Sequence, residues 1–144
     1  MKICLIGQNL TNLILASVFE EKKLNVDIYL NNNFQSIKTN RTIALSSENF
    51  DYLEFLTKSS IKSWKSKEIK IFTESSKSKE IINFNKKNKE VFNLISYSKL
   101  NEIFLKKIKK SKFIKLNHLD TSSPFILKKI ANYDLVINLS LIHI

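Results

Sequence analysis

The chain has 144 residues, 43% of them hydrophobic, enough to bury one core, so one domain or one domain with a small insert is the ceiling. Its 24 Lys plus Arg against 13 Asp plus Glu give a net charge of +11, yet Arg41 is the lone arginine, the lysines are scattered, and specific nucleic-acid recognition, which leans on arginine, is not expected. The single cysteine, Cys4, excludes an intrachain disulfide and a zinc site built on several thiolates, and no apolar run is long enough to span a bilayer, which together point to the cytoplasm.

Ile3, Cys4, Leu5 and Ile6 form a short continuous apolar run, the texture of a strand buried on both faces of a parallel sheet, and Gly7 ends it. From Leu10 to Lys23 the apolar residues Leu10, Leu13, Ile14 and Val18 predict an amphipathic helix, with Asn9 or Thr11 available as its cap. Val26 to Leu30 reads as a second strand. Strand, helix and strand within about 30 residues make a βαβ unit, whose crossover is right-handed.

Asn31 to Asn40 is polar and reads as a loop. Arg41 to Ser46 reads as a compact motif leading into a helix with Phe50, Leu53 and Leu56 on one face and Ser46 or Ser47 as cap. From Ile61 to Ile95 short strand-like pieces, Ile69 to Phe72, Ile81 to Phe84 and Val91 to Ile95, alternate with Ser/Lys/Asn-rich turns and predict an antiparallel insert. Helical spacing returns at Leu100, Ile103, Phe104 and Ile108. Phe113 to Leu116 and Asp134 to Leu139 then resume the parallel-sheet texture on either side of Pro124. The expected organisation is a parallel-sheet α/β domain from residues 1–60 and 98–144, with a strand-rich insert at 61–97.

In dinucleotide-binding folds the first βα turn carries three glycines: one for the tight turn, one so that backbone can approach the pyrophosphate, one for close packing of helix on strand. Gly7, Asn9 and Asn12 stand at those places. Asn tolerates a left-handed turn, but its side chain intrudes where the phosphate should come. The acidic residue that would hold the adenosine ribose at the end of the second strand is replaced by Leu30 and Asn31, and Asp27 lies too far inside the strand. The fingerprint leaves two readings, a dinucleotide site or a bare βαβ scaffold.

The segment Asn40-Arg41-Thr42-Ile43-Ala44-Leu45-Ser46, followed by Asn49, Phe50 and Leu53, resembles the Arg-x-x-Ala-Leu-Ser segment that follows the first βαβ unit in the flavin hydroxylases of ubiquinone biosynthesis, the 2-octaprenyl-6-methoxyphenol hydroxylase family. The later elements come in a similar order too: a strand-rich stretch after Trp64, the strand Phe92-Asn93-Leu94-Ile95, a helix near Leu100, and Asp134-Leu135-Val136-Ile137 in place of the family's Asp-Leu-Val-Val strand. Where that strand normally enters an Ala-Asp-Gly turn, Leu139-Ser140-Leu141 stands instead. The likeness covers nearly the whole chain but only the family's first portion.

The resemblance implies a Rossmann-like FAD-binding fold, FAD as cofactor, NAD(P)H as co-substrate, and O2-dependent hydroxylation of a polyprenylated aromatic ring. It implies that Gly7, Gln8, Asn9, Leu10, Thr11 and Asn12, with Leu30, Asn31 and Arg41, contact the cofactor, the arginine lying near the flavin's phosphates. A polyprenylated substrate leaves peripheral attachment at the inner face of the membrane open beside a purely cytoplasmic place. Neither His118 nor His143 has a carboxylate or thiol at motif spacing, so no acid/base or nucleophile constellation is expected; in such enzymes the flavin carries the chemistry. The rival expectation is a relic or interaction module that keeps the scaffold and has lost the dinucleotide. Because Leu135 to Ile144 is almost wholly apolar and lacks a covering helix, the chain is expected to be the first part of a longer protein, without activity alone.

Overall fold

The computed structural model describes residues 1–7, 9–31, 40–73, 80–85, 90–119 and 129–139. The chain divides into two compact units, Met1–Thr39 with Tyr97–Ile144, and Asn40–Ser96.

The first unit is an α/β layer. Its strands are β1 (Lys2–Ile6), β2 (Asn25–Asn31), β8 (Ile114–Leu119) and β9 (Leu135–Asn138), and its helices are α1 (Leu10–Glu21) and α3 (Tyr97–Lys109). The four strands form one parallel sheet in the order β8-β2-β1-β9. The three segments expected to share a sheet do so: Ile3 pairs with Val26 on one side and with Leu135 on the other. Central position explains the composition of β1, since a strand flanked on both sides and packed on both faces has no polar exit; Ile3, Cys4, Leu5 and Ile6 are all buried.

Helix α1 is capped by Asn9, whose side chain accepts a hydrogen bond from the Asn12 amide at 2.9 Å. The helix stops at Glu21, two residues short of the expected end, where Lys23 takes a left-handed conformation (φ 56°). Its buried stripe is Leu10, Leu13, Ala16 and Ser17 with Asn12, so Ile14 and Val18 are only half-buried. Helix α3 starts three residues before Leu100 and buries Leu100, Phe104 and Ile108. An ion pair from Lys107 to Glu20, with Glu21 a further 3.8 Å from the same ammonium, ties α3 to α1. Burying a Phe and several Leu or Ile side chains contributes about 2 kcal/mol each, which makes this shared core the main source of the unit's stability.

The second unit contains β3 (Thr42–Ser46), α2 (Ser47–Thr57), β4 (Trp64–Ser66), β5 (Glu68–Phe72), β6 (Glu80–Asn85) and β7 (Phe92–Ser96). Strands β3, β7 and β4 form an antiparallel sheet with β7 in the centre, and β5 pairs with β6 as a separate hairpin. The expected insert is therefore antiparallel, but Arg41 to Ser46 is not merely a lead into a helix: Thr42 to Ser46 is a strand, paired residue for residue with β7. That pairing gathers residues 40–60 with the strand-rich segment rather than with the parallel sheet. Ser46 is the cap of α2, accepting from the Asn49 amide at 3.3 Å, and Phe50, Leu53 and Leu56 are its buried face. At the other end Lys58 closes the helix in a left-handed conformation (φ 52°).

Candidate functional site

In an open parallel sheet, ligands bind beyond the carboxyl ends of the strands where the strand order reverses. Here the chain leaves β1 toward β2 and β8 on one side and returns to β9 on the other, so the reversal lies between β1 and β9. The turn from β1 into α1 stands at that point, and it is built from residues the sequence singled out.

Gly7 has φ 114°, a backbone region that a residue with a Cβ avoids, so this position requires glycine. Its amide donates to the Tyr29 carbonyl of β2 at 3.0 Å, anchoring the turn. Asn9 does not use the left-handed tolerance of asparagine: its backbone is extended (φ −89°, ψ 163°), as suits a helix cap. Its side-chain amide faces two ways, with the oxygen on the Asn12 amide and the nitrogen donating to the Leu139 carbonyl just past β9. Asn9 thus links the start of α1 to the end of β9 across the strand-order reversal.

Asn12, at the third glycine position, is wholly buried. Its side-chain nitrogen donates to the Ile6 and Gly7 carbonyls, both at 2.9 Å, so two hydrogen bonds from the helix hold the strand end. Its side-chain oxygen is buried with no hydrogen-bond partner among the described residues, a cost of about 1–3 kcal/mol. At the helix start the Leu10 amide donates to the Tyr97 hydroxyl at 3.3 Å and the Leu13 amide to the Asn9 carbonyl at 3.3 Å.

Gly7, Asn9, Leu10, Thr11 and Asn12 are therefore together at one end of the sheet. Leu30 is the penultimate residue of β2, but its side chain is buried in the core, so only its backbone can face a ligand. Asn31 closes the same strand. Arg41 belongs to the other unit, one residue before β3. Gln8, Pro124, Ser140 and His143 lie outside the described residues. His118 is exposed on β8, apart from any group of three potential metal ligands among the described residues.

Two features had no visible signal in the sequence. One is Tyr97, which reaches the first turn of α1 from 87 positions away. The other is a polar cluster on the face of β2 opposite Val26 and Ile28: Tyr133 donates to the Asp27 carboxylate, its hydroxyl lies 2.9 Å from that of Tyr29, and the Lys2 ammonium stands 4.6 Å from the Tyr133 ring centroid. Burial, then the bonds to Asp27 and Tyr29, holds the Tyr133 phenol well above its ordinary range. Burial, then the Asp27 charge, pushes the Cys4 thiol up to about 11, so it is inert as a nucleophile at neutral pH. A cleft of about 420 Å³ lined by Lys2, Asp27, Lys112 and Lys115, among others, opens where the strands begin, the wrong end of the sheet for a ligand of this architecture.

The β1 to α1 turn has a glycine where the first position of a dinucleotide fingerprint demands one, and it leads into the N-terminus of α1, where a helix attracts an anion. A side chain, that of Asn9, stands in the cradle that the second glycine would leave clear.

No protein-family model and no curated protein matches the sequence. Solved structures do match the fold. PqsL of Pseudomonas aeruginosa, a probable FAD-dependent monooxygenase, superposes with a TM-score of 0.59 at 14% identity over 82% of this chain and 32% of its own. A chain assigned as an FAD-containing monooxygenase from Photorhabdus luminescens subsp. laumondii gives 0.54 at 19% identity over 81% and 30%. The 2,6-dihydroxypyridine-3-hydroxylase of Arthrobacter nicotinovorans gives 0.53 at 13% identity over 80% and 28%. The chain spans about a third of the length of these neighbours, and what it shares with them is a part of their fold.

Proposed function

We propose that the chain is the N-terminal, FAD-binding portion of an aromatic-ring monooxygenase of the ubiquinone-biosynthesis type. The observation that carries this reading is the turn at Gly7, held at φ 114° at the strand-order reversal of a parallel sheet. The amides of Leu10, Thr11 and Asn12 would hold the pyrophosphate at the positive end of α1, those of Leu10 and Asn12 exchanging their present partners for it. Once bound, the flavin supplies the redox chemistry, and the chain's own task is to bind and orient it. Arg41 and the ubiquinone assignment enter through the likeness of the Arg41-Thr42-Ile43-Ala44-Leu45-Ser46 segment alone. With them come NAD(P)H as reductant, a polyprenylated ring as substrate, and a workplace in the cytoplasm or at the membrane's inner face. Among the described residues no helix is long and apolar enough to cross a membrane.

The second reading, a scaffold that no longer binds a dinucleotide, is favoured by the Asn9 bridge to Leu139 and by the absence of a carboxylate at Leu30 and Asn31. FAD titration separates the two. Under the first reading the chain takes up FAD, weakly on its own, and Arg41→Ala lowers the affinity about tenfold, the loss of one charge-assisted phosphate contact. Equal affinity in Arg41→Ala removes that residue from the site. No uptake by this chain or by a longer natural relative favours the scaffold.

A further inference from the structure

We infer that the Asn9 side chain competes with a dinucleotide's pyrophosphate for the first turn of α1, and that this one residue sets the chain's affinity for FAD; the inference rests on the FAD reading. A helix start offers four free amides, and a phosphate binds there by accepting from them. In this chain two of the four are already engaged: Leu10 to the Tyr97 hydroxyl and Asn12 to the Asn9 side-chain oxygen. Asn9 also commits its side-chain nitrogen to the Leu139 carbonyl, so the side chain is held at both ends across the gap between α1 and β9. A phosphate arriving at this turn has to displace both bonds and move the side chain aside.

The backbone shows why the effect belongs to the side chain. At φ −89° and ψ 163° Asn9 occupies a conformation open to every residue, so glycine there meets the same dihedral requirement and removes the side chain with its carboxamide. Replacing an Asn cap by Gly costs a helix little. Asn12 is different: it is wholly buried and holds the Ile6 and Gly7 carbonyls, so its removal tests the fold rather than the ligand.

The test is an FAD titration of the full 144-residue chain, followed by quenching of flavin fluorescence, with thermal melts run beside it. Asn9→Gly should bind FAD at least tenfold more tightly than the parent chain. Asn9→Ser, which keeps an oxygen for the Asn12 amide but lacks the nitrogen that reaches Leu139, should show a smaller gain and serves if the glycine variant does not fold. Equal, measurable affinity in all three chains overturns the inference and leaves the FAD reading standing. Absence of binding in all three at about 1 mM FAD overturns both.

Discussion

The strand β1 and the strands of the hairpin β5-β6 are of similar length and all carry large apolar side chains, yet β1 is buried from Ile3 to Ile6, whereas Ile71, Phe72, Ile81, Ile82 and Phe84 of the hairpin are all exposed. The difference is one of neighbours. β1 lies between two parallel partners with α1 packed against it, while β5 and β6 have only each other, and a lone two-stranded ribbon buries neither face. The polar side of the hairpin is knit by Lys70, which stands 3.4 Å from Glu68 and 3.7 Å from Glu80, and by Asn83 donating to Glu68 at 2.8 Å. Exposed ion pairs of that kind contribute little. Apolar sequence alone does not place a residue in a core; position in the sheet does.

Substitutions that remove equal bulk from the two regions should expose this contrast. Phe104→Ala, in the fully buried face of α3, should destabilise the parallel-sheet unit by about 3–5 kcal/mol in denaturant unfolding. An intermediate effect is expected from pH. The Cys4 thiol is raised from 9.0 to about 11 in the folded chain, so its burial favours folding fully below pH 9, and that contribution fades as the unfolded thiol ionises between pH 9 and 11. Stability should fall by about 2 kcal/mol over that window, and Cys4→Ala should flatten the slope. The smallest effect belongs to the hairpin: Phe84→Ala, at a half-exposed position, should change stability by less than about 0.5 kcal/mol. A Phe84→Ala loss comparable with that of Phe104→Ala would mean that the hairpin face is covered in solution.

The parallel sheet was legible because continuous apolar runs such as Ile3 to Ile6 and Val26 to Leu30 have few other uses, and Phe50, Leu53 and Leu56 betray a helix by their spacing alone. β3 was hidden because Arg41 to Ser46 carries only Ile43, Ala44 and Leu45 as apolar residues, and its partner β7 comes far later in the chain, with Thr42 facing Ser96. At the candidate site the positions were readable and their conformations were not. Gly7 follows from the need for a tight turn, but the role of Asn9 depends on Leu139, 130 positions away, and that of Leu10 on Tyr97. Local pattern reports local geometry; the partners that decide whether a cradle is open arrive from elsewhere in the chain.

The central claim, that the β1 to α1 turn is where FAD binds, is tested most directly by adding FAD to the ¹⁵N-labelled chain and following its amide resonances. The account predicts that Gly7, Leu10, Thr11 and Asn12 shift first and furthest, with Leu139 next as Asn9 lets go of it. Shifts confined to the cleft at Lys112 and Lys115, at the opposite end of the sheet, or no shifts at all, would contradict it.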